Sequence, residues 1–433
     1  MSLPSAPRTG RTGEPAPVAG IELVGEFEGS GYREPPQLVC RPDGQLVRLP
    51  TLLYQAVRSL ERHGAHSGAG DPVTARVAAD LSRETGRRFT EAHIAYLLDH
   101  KLAPLGLTTR ADGSLPPPPA KTDPFLAFRF RLAVLPEHLT WFLSGLFAWL
   151  FRPVLVFLGV GAFLAGEAWL WTTQDTAAAL GSVLSSPGLI LLVIFLAVAS
   201  CAFHELGHGA ACRYGGVRPG AMGCGIYLVW PAFYTDITNS YRLSRAGRIR
   251  ADLGGVYFNA LFALGLLGCY ALTGFQPLLV AILSVNLEIV QQLLPTLRFD
   301  GYYIVADLVG IPDLFRYIAP ILRRVLLGRR DEEGLLRALK RWPQIVVACW
   351  VLFLVPTLGL QLGLMLVNLP QLLWADWWRA DALLAHAHSV LGLVAAWLQI
   401  LLLALPLVGL VLALGRPGWL LVRAGWRRVQ SWR

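Results

Sequence analysis

The amino-acid sequence predicts an α-helical polytopic membrane protein with about six transmembrane helices, preceded by a small α+β domain. Three observations carry this expectation. Hydrophobic residues make up 54% of the 433 residues, charged residues only 15%, and mean hydropathy is +0.48. A soluble domain keeps about 25% of its residues charged so that its surface stays wetted. Apolar runs long enough to cross a bilayer recur after residue 152. The formal net charge is +9, from 38 Lys+Arg against 29 Asp+Glu, and the cations cluster at alternate ends of those runs.

Residues 1–20 are rich in Pro, Gly, Ser and Arg and lack an apolar h-region, so they read as a disordered leader and not as a secretory signal. Residues 21–112 have the composition of a small soluble domain. Pro42-Asp43-Gly44 separates two short apolar-containing runs, which predicts a hairpin. Amphipathic helices follow at about 51–63, 73–86 and 90–102. Leu52, Leu53, Ala56, Val57 and Leu60 keep the helical period, as do Val73, Val77 and Leu81, and then Ile94, Leu97 and Leu98. Residues 113–152 read as a Pro-rich linker, Leu115 to Pro119, followed by an aromatic, amphipathic segment suited to a membrane interface. A hairpin followed by three helices resembles the winged-helix-like PqqD-like fold, which recognises leader peptides of ribosomally made natural products. Winged-helix DNA binding and a purely structural domain fit the same pattern.

A span needs about 20 mostly apolar residues. The runs fall at 153–172, 187–209, 253–273, 276–295, 344–367 and 388–414, within a membrane domain of 153–415. If the N-terminal domain lies on side one, the opposite side receives only about 173–186, 274–275 and 368–387. Of all Lys and Arg residues, Arg379 alone falls there. Cations near span ends are retained in the cytoplasm, so both termini are expected inside a bacterial plasma membrane. This removes nucleic acid as the default partner and makes the lipid bilayer the first one. Residues 416–433, with Trp419, Trp426 and Trp432 among five arginines, read as a basic amphipathic tail. Oligomeric state leaves no trace in the pattern.

Six cysteines lie scattered without a C-x-x-C pair, which argues against a disulfide framework or a zinc ribbon. The chemistry concentrates at the end of the second span, His204-Glu205-Leu206-Gly207-His208. On a helix the two histidines are i and i+4, so their imidazoles share a face and can grip one metal ion. Glu205, one position on, is free to handle a proton. This is the H-E-x-x-H arrangement of zinc-dependent proteases. Ionisable groups in an apolar span are costly and point to function. A third protein ligand must come from another segment at the same depth. Asp300, in Phe299-Asp300-Gly301 after the fourth span, meets that condition, although a helix-ending Asp-Gly turn would look the same.

Together these two motifs closely resemble the site-2 protease family of intramembrane zinc metalloproteases, over about residues 187–310. The resemblance implies one Zn2+ held by His204, His208 and Asp300, with Glu205 as the catalytic base. Gly255 and Asn259 fall where the family has a G-x-x-x-N-like element, but Val256 stands where a Pro often follows the Gly. Asn259 then either contacts the substrate backbone, possible oxyanion contact included, or hydrogen-bonds between helices. Asn286, Glu288, Gln291 and Gln292 line a wet cleft or pair between helices, and Glu167 has no assignment from sequence.

The pairing of a PqqD-like domain with such a core resembles membrane proteases of ribosomal natural-product pathways, daptide-type included. It implies hydrolysis of a precursor peptide to remove its leader. Two alternatives stand beside it: regulated intramembrane proteolysis of a transmembrane signalling protein, and a non-enzymatic peptide exporter or immunity protein.

Overall fold

The computed structural model describes residues 13–64, 71–117, 128–227, 230–328 and 334–430. Contacts divide the chain into two compact units. One comprises Met1–Pro124, Thr238–Arg248 and Ala306–Val351; the other comprises Phe125–Ile237, Ile249–Val305 and Leu352–Arg433.

In chain order the elements are β1 (Glu22–Glu26), β2 (Gln37–Cys40), β3 (Leu46–Leu49), α1 (Thr51–Gly64), α2 (Val73–Thr85), α3 (Glu91–Leu97), β4 (Phe128–Leu135), α4 (Glu137–Phe147), α5 (Pro153–Thr173), α6 (Thr176–Leu184) and α7 (Pro187–Tyr214). They continue with β5 (Met222–Tyr227), β6 (Trp230–Thr235), α8 (Arg245–Asp252), α9 (Gly254–Thr273), α10 (Pro277–Leu293), α11 (Asp300–Val309), α12 (Ile318–Leu327), α13 (Arg341–Val367), α14 (Leu369–Ala385) and α15 (Val390–Gln430).

In the first unit, β1–β2–β3 form an antiparallel sheet, with β2 and β3 joined across Pro42-Asp43-Gly44. Gly44, at φ +81°, supplies the left-handed residue that this turn needs. All three expected helices form, and α3 starts at a capping box in which Thr90 and His93 exchange side-chain and backbone bonds. The helix then continues through a π-helical turn, Leu98–Leu102. The period-matched residues Val57, Leu60, Val77, Leu81, Ile94 and Leu98 meet Val39 and Leu49 of the sheet in one buried cluster. Strand β1 is an addition to the expected hairpin.

Residues 1–12 of the expected leader, and 118–127 of the expected linker, lie outside the described residues. From Ala16 onward the chain is already engaged: Val18 N donates to Leu107 O and Thr109 N to Ala16 O.

Later segments of the chain complete this unit around Phe27–Arg33. Gly31 N donates to Gly310 O, Arg33 N to Ala338 O, and Lys340 N to Gly31 O. Arg248 is fully buried there. It donates to Asp307 Oδ1 at 2.8 Å and to Glu28 O at 3.0 Å, with its guanidinium over the Phe27 ring.

In the second unit, among the described residues, five helices are long and apolar enough to cross a membrane, counting α13, which begins in the first: Pro153–Thr173, Pro187–Tyr214, Gly254–Thr273, Arg341–Val367 and Val390–Val411. The run expected at 276–295 is the shorter apolar helix α10, of 17 residues. At 1.5 Å per residue it is about 26 Å long, just under a ~30 Å hydrocarbon core. It ends where Leu294 turns extended ahead of Pro295. Helix α15 runs without a break past residue 415, where composition marks the basic tail.

A second antiparallel sheet, β4–β5–β6, adds to the expected elements. It takes up the first part of the segment read as interfacial, and α4 the rest. On α4 and the turn after it, Leu139, Phe142, Leu146 and Trp149 remain exposed along one face, as an interfacial helix requires.

Candidate metal centre

Helices α7 and α9 touch backbone to backbone. A Cβ on Gly207 would stand 2.2 Å from Gly254 O, and one on Gly254 would stand 2.6 Å from Gly207 O. Small residues permit this approach between apolar helices. One residue on, a Cβ at Gly255 would fall 2.4 Å from His204 Nε2, so the imidazole occupies the space that a side chain would take. Phe203 packs on Phe258 with ring centroids 4.7 Å apart, and Phe258 stacks on Phe151.

The last turns of α7 carry His204 and His208, both buried. His208 Nδ1 lies 2.8 Å from Ala251 O. Nδ1–H is therefore the donor to that carbonyl, and the Nε2 lone pair is left for the site. Nε2 of His208 lies 3.1 Å from Nε2 of His204. Asp300, the first residue of α11, brings Oδ2 to 3.1 Å from His204 Nε2 and 3.4 Å from His208 Nε2. His204, His208 and Asp300 thus form a compact group that could hold a metal ion.

The donor set fits zinc. A tetrahedral zinc with bonds of about 2.0–2.1 Å holds its ligand atoms about 3.3 Å apart, close to the three separations seen here. The chemistry agrees, since Asp300 Oδ2 is buried without a hydrogen-bond partner, and the His208 tautomer turns an acceptor toward it.

Two features missed at the level of sequence hold the ligand-bearing segments. Thr235 Oγ1 of β6 donates to Glu205 O at 2.9 Å, anchoring α7 beside the first ligand. Tyr227 Oη of β5 accepts from Arg298 N at 3.1 Å, and its ring packs on Phe299, which leads into Asp300. The sheet therefore braces both arms of the site. Its signal was available in the alternation of apolar residues with arginine from Phe128 to Leu132.

Gly301 is needed for space. A Cβ there would stand 2.3 Å from Leu293 O, and its φ is not positive, so close approach replaces the expected turn as the reason for glycine.

Glu205 is half-buried beside His204. Asn259 is fully buried and accepts from Ser200 Oγ at 3.3 Å, while its Nδ2 has no hydrogen-bond partner. It thus bonds between α7 and α9 and keeps a donor unspent. Glu167 acquires a role: its Oε2 accepts from Asn286 Nδ2 at 2.8 Å and Trp171 Nε1 at 3.0 Å, which ties α5 to α10. Cys212 is buried in an apolar cluster with Ala211, Ala251 and Phe258. His386 belongs to the end of α14, away from the metal group.

Fold and site together define a multi-pass helical membrane protein with a His2Asp group that could hold a metal ion. A curated protein of Bacillus subtilis (strain 168), named "Putative peptide zinc metalloprotease protein YydH", is 28% identical over 131 residues, 30% of this chain and 51% of that protein. The chain spans about half the length of that curated relative. No family model matches the chain, and no solved structure matches it.

Proposed function

We propose that the chain is an intramembrane zinc metalloprotease of the site-2 protease kind, with His204, His208 and Asp300 as ligands and Glu205 as the catalytic base. The observation that carries this is the convergence of three buried acceptor atoms with a carboxylate next to the first of them. The name of the B. subtilis relative supports the same class.

Zinc in a three-ligand protein set supplies Lewis acidity and brings the pKa of water toward about 7. The chain's own residues do the rest. Ala251 O fixes the His208 ring through Nδ1–H. The Glu205 carboxylate takes a proton from the attacking water as its oxygen bonds to the scissile carbonyl carbon. Glu205 then returns that proton to the amine nitrogen as the C–N bond breaks. The free Nδ2 of Asn259 is a donor suited to a substrate carbonyl.

The substrate in this reading is a ribosomal precursor peptide, captured by the PqqD-like domain and cut at the cytoplasmic face. The strand and helix order of residues 22–102 supports the capture, and the confinement of cations to one set of loops supports the orientation.

Glu205→Gln tests the mechanism. Cleavage of a co-expressed precursor should fall by at least about 10²-fold, the scale of lost acid–base catalysis, while zinc content stays the same. Full cleavage by a metal-loaded variant overturns it. A transmembrane substrate cut in preference to a precursor would move the assignment to regulated intramembrane proteolysis.

A further inference from the structure

A cavity of about 960 Å³ lies in the second unit between the start of α7, the end of α13, α14 and α15. It is at the upper end of the ~300–1,000 Å³ range of small-molecule sites. None of its lining belongs to the metal centre.

Its walls divide by chemistry. Ile190, Ala395, Ala396, Leu403 and Leu407 give an apolar interior, and Asp376, Arg379 and His386 stand at its α14 side. Helix α14 joins two membrane-crossing helices and exposes Trp374, Trp377 and Trp378. Exposed Trp residues at a span end mark the depth of the lipid headgroups. From that depth the lining follows α15 from Gly392 to Leu407, about 22 Å at 1.5 Å per residue. Half a bilayer core is about 15 Å, so the cavity passes from headgroup depth to the midplane.

We propose that this cavity holds one zwitterionic phospholipid of the phosphatidylethanolamine type. Most of the lining is apolar, with Gln399 the polar residue along α15, so it suits an acyl chain better than ordered water, which needs two to four polar partners for each molecule. The polar mouth carries an ion pair on one face of α14: Arg379 Nη1 lies 3.6 Å from Asp376 Oδ1, and the Arg379 side chain is 65% exposed. The remaining guanidinium N–H donors and the second carboxylate oxygen are left for a headgroup, with phosphate on the guanidinium and ammonium on the carboxylate. An acyl chain fills the channel along α15. The assignment is independent of the proposed protease activity.

The test is native mass spectrometry of the full chain released from nanodiscs of phosphatidylethanolamine and phosphatidylglycerol in equal amounts. One phosphatidylethanolamine per chain should stay bound. Ala396→Trp, which fills the channel, should abolish retention. Because a buried Trp risks misfolding, Arg379→Glu at an exposed position provides the second arm. It should weaken retention about tenfold, as expected for losing one charge-assisted bond. A wild-type chain without lipid overturns the proposal. So does equal retention by monodisperse Arg379→Glu and Ala396→Trp proteins, which would mean lipid bound elsewhere. Preferential retention of phosphatidylglycerol, or of a co-purified peptide, overturns it as well.

Discussion

Gly255→Ala puts the geometry of the metal centre under direct strain. The added methyl would sit 2.4 Å from His204 Nε2 and 2.5 Å from Cε1, against ordinary contacts of 3.4 Å or more. The ring must therefore move by about 1 Å, and a catalytic group misplaced by that much loses about 10²-fold in rate. His204 is only 2% exposed, so it has no open space to retreat into, and overpacking adds about 1–3 kcal/mol of instability. The assay is zinc competition against a chromophoric chelator, with cleavage measured in parallel. Gly265→Ala and Gly268→Ala on the same helix are the controls, because a Cβ there meets nothing within 4 Å. Zinc affinity and rate should fall about 10²-fold for Gly255→Ala alone. If Gly255→Ala holds zinc and cleaves as its controls do, the placement of His204 against α9 is wrong.

Two further outcomes concern the first unit. Burial works against ionisation of Asp80, but hydrogen bonds from Ser59 and His63 and the charge of Arg83 outweigh it and hold the carboxyl below its ordinary value. The stability this contributes is present above the unfolded pKa of about 3.9 and is lost as pH falls through the folded value. Protection factors of the α1 and α2 amides, taken against the intrinsic exchange rate at each pH, should fall in acid, and Asp80→Asn should remove that acid dependence. Arg248→Met should cost about 3–5 kcal/mol, because it removes the buried guanidinium that bonds Asp307 at 2.8 Å. Thermal unfolding of the intact chain reads it, and Asp307→Asn in the same background should restore part of the loss.

The elements legible in advance are those with a local cause. His204 and His208 share a face because four residues make about one helical turn, and Val57, Leu60, Val77 and Leu81 face one core for the same reason. Asp300 emerged from depth alone, since the second and fourth apolar runs were expected to end on one side. Strands β4–β6 stayed hidden because Phe128–Leu135 runs directly into the helical α4, and because Met222–Tyr227 carries two glycines and little β-branching. Gly207, Gly254 and Gly255 were visible as letters, but their reason is another helix's backbone or ring, which no local period encodes. Glu167 likewise needed Asn286, 119 residues away, before its place in an apolar helix made sense.

The most direct measurement is zinc K-edge absorption spectroscopy on the purified full chain, with metal content determined on the same sample. It should show one zinc per chain, ligated only by nitrogen and oxygen, with the multiple-scattering signature of two imidazoles. Asp300→Ala should lose most of the metal, and His204→Ala should lose all of it. A folded chain without zinc contradicts the assignment, as does a sulfur ligand from Cys201 or Cys212.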